Sequence, residues 1–172
     1  EYWNILKGRL SCIKDLVEIA TRENLEFRVN HKGIEIDIPL GINETFVRMV
    51  LDVEDIRSVP FTVMAEGPYE NFQAKILFAL GKQSMSFIDA GANMGYYSLA
   101  LSKLNPNLSV FSFEPQPKIY SFLQKNIQLN AVNHQIQTHN LGLGSKEESL
   151  LMYIPAFTGS GGGSFANLHN DE

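Results

Sequence analysis

The segment from Phe87 to Ser98 constrains the fold of this chain more than any other. An apolar, strand-like run ends at Asp89, a turn containing Gly91 and Gly95 follows, and a helical pattern begins directly after it. Glycine suits such a turn because it adopts positive φ and lets the backbone approach a ligand closely. The N-terminus of the next helix offers free N–H groups and a positive dipole end. The segment therefore predicts a ligand site where a strand meets a helix.

The pattern around this turn alternates between strand and helix, which is typical of parallel βαβ units. We predict strands over 85–90, 108–113, 136–141 and 149–154, and helices over 96–104 and 118–129. The second helix should bury Ile119, Phe122, Leu123 and Ile127. This alternation predicts the α/β class with a parallel sheet.

Residues 1–66 are predicted to form an N-terminal α+β extension to a domain over 67–172. The extension should contain a helix over 2–24, strands over 27–30 and 33–40, and a strand or short helix over 46–53. Isoleucines alternate with Glu35 and Asp37 in the second strand, which indicates a strand buried on one face. Beyond a turn at 67–68, a helix over 69–80 places Phe72, Ile76, Leu77 and Leu80 on one face. The glycine-rich run 158–164 predicts a flexible loop, with a position near the ligand site as the alternative.

The spacing of the glycines and acids indicates the kind of ligand. Three residues separate Gly91 from Gly95, which does not fit the G-x-G-x-x-G pattern of nicotinamide dinucleotide sites. The charge of Asp89 would repel a pyrophosphate but attract an amine and a sulfonium. Glu114 ends the second strand 23 positions after Gly91, close to the roughly 20 expected for an acid that binds ribose hydroxyls. These features favour S-adenosylmethionine over a dinucleotide.

Three segments together resemble the FkbM-type methyltransferase family: Asp89–Ser98, Phe113–Pro117 and Leu123–Asn130. Weaker similarity extends over roughly residues 66–168 and includes Asn140–Gly144 and Gly67–Glu70. The resemblance implies a Rossmann-like class I methyltransferase fold, a three-layer sandwich around a parallel sheet. It also implies S-adenosylmethionine as methyl donor and O-methylation of a hydroxyl on a sugar or small natural product.

The resemblance also implies site residues. The positions that would hold the cofactor are Asp89, Gly91, Ala92, Asn93, Gly95, Glu114 and Asn140. Among them, Glu114 would bind the ribose, and either Asn140 or the next residue, Leu141, would border the adenine. The family's sheet continues beyond the strands predicted here, so the fold is expected to be incomplete at the C-terminus. The general base stays unassigned, and the truncated chain itself is expected to be inactive or weakly active.

Composition excludes some classes of partner. A net charge of −5 argues against nucleic acid, which usually needs a basic face. No apolar run reaches the roughly 18 residues of a membrane span. Cys12 is the single cysteine, so no intrachain disulfide can form, and we expect a cytoplasmic protein. The four histidines lack the spacing of metal ligands, so no metal site is expected.

Two alternatives to a small-molecule methyltransferase stay open. One is a noncatalytic module that binds an adenosine ligand or a partner. The other is an RNA methyltransferase, because the Asn126–Asn130 run N-I-Q-L-N is similar to one found in some of those enzymes. An apolar sheet edge left exposed would favour a homo-oligomer.

Overall fold

The computed structural model describes residues 26–30, 33–52, 55, 58–66, 70–154 and 163–165. The strands in these ranges are β1 (Phe27–Asn30), β2 (Gly33–Pro39), β3 (Phe46–Val50), β4 (Ser86–Ala90), β5 (Ser109–Phe113) and β6 (Ile136–His139). The helices are α1 (Val59–Glu66), α2 (Asn71–Gly81), α3 (Tyr96–Leu104) and α4 (Pro117–Leu129). The predicted helix over 2–24 and the predicted turn at 67–68 lie outside the described residues.

Strands β4, β5 and β6 form a parallel sheet in that order, with α3 and α4 as the connecting helices. The predicted α/β class is therefore confirmed. Helix α4 buries Ile119, Leu123 and Ile127 as predicted, whereas Phe122 is only half-buried. The predicted strand over 149–154 is wrong: within the described residues it is reduced to one antiparallel bridge, between Tyr153 and Ser164. Strand propensity does not suffice where no neighbouring strand offers a ladder of hydrogen bonds.

Strands β1, β2 and β3 form a separate antiparallel sheet. The expectation of a half-buried β2 is wrong, because Glu35 and Asp37 are buried along with Ile36 and Ile38. Arg28 Nη1 and Arg48 Nε lie 2.8 Å and 2.6 Å from the Asp37 carboxylate. Burial raises the pKa of Asp37, but its bonds to the two arginines outweigh this and leave the pKa below the ordinary value. Charged residues that are paired can therefore lie on a buried face of β2, although the alternating sequence pattern predicted that this face is exposed to solvent.

Asparagine side chains from α4 and from the residue that follows it hold the free edge of β3. Asn130 Oδ1 accepts the Arg48 N–H at 2.9 Å, and Asn130 Nδ2 donates to the Arg48 carbonyl at 2.6 Å. Asn126 Oδ1 accepts the Val50 N–H at 2.8 Å. These amides replace the neighbouring strand that β3 lacks on this side, so an edge strand keeps its backbone groups satisfied. Side chains from both sheets and from the helices pack in one continuous apolar core.

Helix α2 buries a different face from the one its apolar spacing suggested. Ala74 and Phe78 are buried, while Phe72, Ile76 and Leu80 are exposed. The close approach of α2 to α3 explains this choice. A Cβ at Gly81 would collide with Leu101 of α3, so the glycine allows the two helices to meet at that point.

Candidate functional site

The turn between β4 and α3 is fastened to the end of β5. The backbone N–H groups of Gly91 and Ala92 both donate to the Phe113 carbonyl oxygen, each at 2.9 Å. Gly91 and Gly95 have φ of +78° and +93°, a region that favours glycine. A Cβ at Gly95 would also lie 2.6 Å from Leu123 Cδ1, whereas a Cβ at Gly91 would meet nothing within 4 Å. Gly95 thus serves helix packing, and Gly91 leaves the backbone open to an approaching group.

Asn93 is the third residue of the turn with positive φ, at 50°. Asparagine tolerates this conformation better than most residues because its short side chain can bond locally. Its Oδ1 accepts the Met94 N–H at 2.7 Å. The backbone N–H of Asn93 is directed toward the end of β5.

The Glu114 carboxylate receives that N–H. Glu114 Oε2 accepts from Asn93 N at 2.9 Å, and Glu114 Oε1 accepts from Gln116 N at 2.8 Å. The residue is only 4% exposed. Burial raises the pKa of Glu114, and the charge of Asp89 adds to the rise, while the two N–H donors oppose it. A carboxylate oxygen has two lone pairs, so each oxygen keeps one position for a further donor.

Asp89 lies beneath the turn in a buried polar cluster. Its Oδ2 accepts the Ser98 hydroxyl at 2.5 Å, and Ser98 Oγ lies 2.7 Å from Ser112 Oγ. Asp89 and Ser112 are register partners in β4 and β5, and Ser98 comes from α3. Burial raises the pKa of Asp89, and the hydrogen bonds from Ser98 oppose this rise. The cluster joins three elements directly under the glycines.

Asn140 follows β6 and closes the far side of the site. Its Nδ2 donates to the carbonyl oxygens of Glu114 and Pro115 at 2.7 Å and 3.1 Å. The ring of His139 stacks on Phe113, with centroids 4.7 Å apart and planes 14° apart. The ends of β5 and β6 are thereby held together next to Glu114.

The structure therefore brings together the seven residues that the sequence singled out, although they span positions 89–140. Three residues at the site were not predicted: Ser98, Ser112 and Gln116. Ser98 carried a recognisable signal, since it is a serine in the largely apolar first turns of α3, nine positions after an acid.

Two classes of site find no support among the described residues. These ranges contain no group of three or more histidine, cysteine or acidic side chains arranged to hold a metal ion. None of the helices in the described part of the chain has the length and apolarity that a membrane span requires.

A family model, described as the TRM5/TYW2 methyltransferase domain, matches residues 44–149. The matched stretch is more than half of the 172 residues and includes the glycine turn, Glu114 and Asn140. The chain belongs to this family. It is an S-adenosylmethionine-dependent methyltransferase domain, and S-adenosylmethionine is its cofactor, as the glycine spacing and Glu114 predicted.

Two curated fungal proteins are similar to part of the chain. They are Methyltransferase 1 of Beauveria bassiana (strain ARSEF 2860) and Methyltransferase sdnD of Sordaria araneosa, each 35% identical over 74 residues. The similar stretch covers 42% of this chain but only 29% of either relative. A solved SAM-dependent O-methyltransferase from Thermotoga maritima overlaps 67% of this chain and 48% of its own, with 15% identity and a TM-score of 0.39.

Proposed function

We propose that this chain binds S-adenosylmethionine at the carboxyl ends of β4, β5 and β6, for methyl transfer to a hydroxyl on a sugar or small natural product. The observation that carries the proposal is the 2.9 Å hydrogen bond between Asn93 N and Glu114 Oε2. It brings an acid from the end of β5 against a glycine turn at the end of β4. Ligands of open α/β sheets bind at this edge of the sheet.

The residues at the turn fit the cofactor. The remaining lone pairs of Glu114 would accept the two ribose hydroxyls, and the open side of Gly91 would let the ligand approach the backbone. Ala92, Asn93 and Gly95 would complete the wall. The charge of Asp89 would favour the methionine amine and the sulfonium. Asn140 Oδ1, which accepts no hydrogen bond from the described residues, would face the adenine amino group.

Methyl transfer from S-adenosylmethionine requires no covalent bond between the protein and the reactants. When bound, the cofactor would supply an electrophilic methyl group for an acceptor oxygen, with its sulfur as the leaving group. The chain's own contribution is to fix the donor, since orientation provides most of the acceleration in such a displacement. A hydroxyl acceptor also needs a base to take its proton. We assign no residue to that role.

The choice of acceptor follows the FkbM-type resemblance, which we propose as the finer classification of the chain. The net charge of −5 fits a small neutral acceptor better than a phosphate backbone. The N-I-Q-L-N run that suggested RNA has a structural role here, because Asn126 and Asn130 bind the backbone of β3. Transfer of a labelled methyl group should therefore reach monosaccharides or hydroxylated small molecules. Transfer of the label to RNA would contradict this proposal and favour the RNA methyltransferase. Cofactor binding without methyl transfer to any acceptor would favour the noncatalytic module.

Calorimetric titration with S-adenosylhomocysteine tests the cofactor site. The wild type should bind, and Glu114→Ala should lose binding because the ribose hydroxyls have no acceptor. Glu147→Ala is the matched control, since it removes an exposed carboxylate from the loop after β6 and should bind normally. No binding by a folded wild type would overturn the proposal, and equal affinity in all three proteins would remove Glu114 from it.

Two further proposals concern the division of the chain into domains and its location in the cell. The chain would divide into an N-terminal extension, 1–66, and a cofactor-binding domain, 67–172. A cytoplasmic location also stays a prediction, which rests on the single cysteine.

A further inference from the structure

The segment 163–165 lies across the loops that follow β5 and β6. Ser164 is held by Tyr153 through two backbone hydrogen bonds, Tyr153 N to Ser164 O at 2.8 Å and Ser164 N to Tyr153 O at 3.0 Å. Next to it, a Cβ at Gly163 would lie 2.7 Å from Gln116 Nε2 and would collide with Met152. The segment is thus seated closely against the residue that follows Pro115.

The ring of Phe165 rests on Gly142. A Cβ at Gly142 would lie 2.8 Å and 2.9 Å from Cζ and Cε2 of the ring, and 3.7 Å from Pro115 Cβ. Only glycine at 142 lets the ring come so near the backbone. One side of the ring therefore packs on the loop after β6, beside the loop after β5, while 43% of the residue is exposed.

This position adjoins the ribose end of the site. Glu114 precedes Pro115 in the chain, and Asn140 binds the carbonyl oxygens of both residues. If Glu114 holds the ribose hydroxyls, the base lies one glycosidic bond from that sugar. The side of the site toward β6 is formed by Asn140, Gly142 and Pro115, and the partly exposed ring of Phe165 packs on Gly142 there. Aromatic rings stack on nucleobases irrespective of the base's hydrogen-bonding edge.

We infer that Phe165 provides the surface on which the adenine of the cofactor stacks. The inference rests on the proposed function, because it takes the ribose position from Glu114. It gives the segment after the Tyr153 bridge a role in binding the base. It also explains the glycine at 142, since a side chain there would displace the Phe165 ring.

The test compares S-adenosylhomocysteine affinity in variants of the full chain. Phe165→Ala should weaken binding on the order of tenfold or more, and Phe165→Trp should bind as the wild type does, because an aromatic face is kept. Phe72→Ala is the matched control: it removes an exposed phenylalanine from α2 and should leave the affinity unchanged. Unchanged or tighter binding by Phe165→Ala would overturn the inference, the second result because it would mean that the ring fills the position of the base.

A fluorescence measurement tests the same contact in case the Phe165→Ala variant does not fold. The chain has one tryptophan, Trp3, so Phe165→Trp in a Trp3→Phe background places a single indole at the site. S-adenosylhomocysteine should quench and shift its emission, whereas homocysteine alone should not. Saturable binding with no change in emission would contradict stacking. Failure of the wild type to bind would overturn the proposed function as well, and normal wild-type binding with an unaffected Phe165→Ala would overturn this inference alone.

Discussion

Asn126 Nδ2 donates a hydrogen bond to the Met94 carbonyl oxygen at 2.9 Å, although the two residues are 32 positions apart. The same amide accepts the Val50 N–H through Oδ1 at 2.8 Å. Asn126 is fully buried, so neither backbone group has water as a substitute partner. One side chain of α4 therefore ties the glycine turn to the edge of the N-terminal sheet.

Asn126→Ala should destabilise the fold strongly. It leaves a buried donor at Val50 and a buried acceptor at Met94, and each unsatisfied group costs about 1–3 kcal/mol. We expect the free energy of unfolding in urea to fall by about 3 kcal/mol. Asn133→Ala, at an exposed position beyond the same helix, should change it little. Similar losses in the two variants would show that the amide does not hold the turn.

The two glycines of the turn should differ in their tolerance of alanine. Both have positive φ, which costs an alanine about 1–2 kcal/mol. At Gly95 the added Cβ would also lie 2.6 Å from Leu123 Cδ1, while at Gly91 it would meet no atom within 4 Å. Urea unfolding should therefore show a loss of about 1 kcal/mol for Gly91→Ala and about 3 kcal/mol for Gly95→Ala. Losses of equal size would contradict the packing role of Gly95. Gly91→Ala should instead show its main effect on S-adenosylhomocysteine affinity.

The sequence predicted the parallel unit well because local signals and tertiary structure agree there. The strands and helices around Gly91 and Glu114 begin and end within about two residues of the expected positions. Periodicity, the glycine turn and Pro117 at the start of α4 all point to the same elements. The gathering of the site residues follows from the parallel order, since the carboxyl ends of the strands meet at one edge.

The parts of the fold that the sequence did not predict depend on tertiary contacts that no local pattern indicates. Asn126 and Asn130 bind the backbone of β3, whose sequence position is about 80 residues earlier. The buried face of α2 was fixed by its approach to α3 at Gly81 rather than by the spacing of its largest side chains. The Phe165 ring packs on Gly142, a contact between residues far apart in the sequence that no local pattern indicates.

Asp89→Asn should change the pH dependence of stability. The folded-state pKa of Asp89 is raised above the ordinary value of 3.8, so the folded state binds the proton more tightly than the unfolded chain. Stability should consequently fall as the pH rises from about 4 through the raised folded pKa. Asparagine can still accept the Ser98 hydroxyl but has no charge to bury. In urea unfolding, the variant should gain stability relative to the wild type as the pH rises from about 4 through the folded pKa of Asp89.

Asp37→Asn provides the control of opposite sign. Its pKa is lowered by Arg48 and Arg28, so its contribution is present above 3.8 and is lost as the pH falls through the folded pKa. This variant should be less stable than the wild type at neutral pH. Parallel pH profiles for Asp89→Asn and the wild type would contradict the buried position of the Asp89 charge.

The chain should self-associate through the free edge of β4. Within the described residues β4 pairs only with β5, and Met85 and Ile88 beside that edge are exposed. Unpaired apolar edges recruit further strands, and a lysine at an edge opposes this. Ile88→Lys should therefore lower the weight-average mass in sedimentation at high concentration. Ile76→Lys, which changes an exposed residue of α2, should leave the mass unchanged. A monomeric wild type at high concentration would contradict this prediction.

The bond between the Glu114 carboxylate and the cofactor ribose can be tested directly by removing either partner. S-adenosylhomocysteine and its 2′-deoxy analogue would be titrated calorimetrically into the wild type and into Glu114→Gln. Because a hydrogen bond to a charged group is strong, loss of the 2′-hydroxyl should weaken wild-type binding about tenfold or more. In Glu114→Gln the two ligands should bind with similar, weaker affinity. A deoxy penalty of the same size in both proteins would show that Glu114 does not bind the ribose.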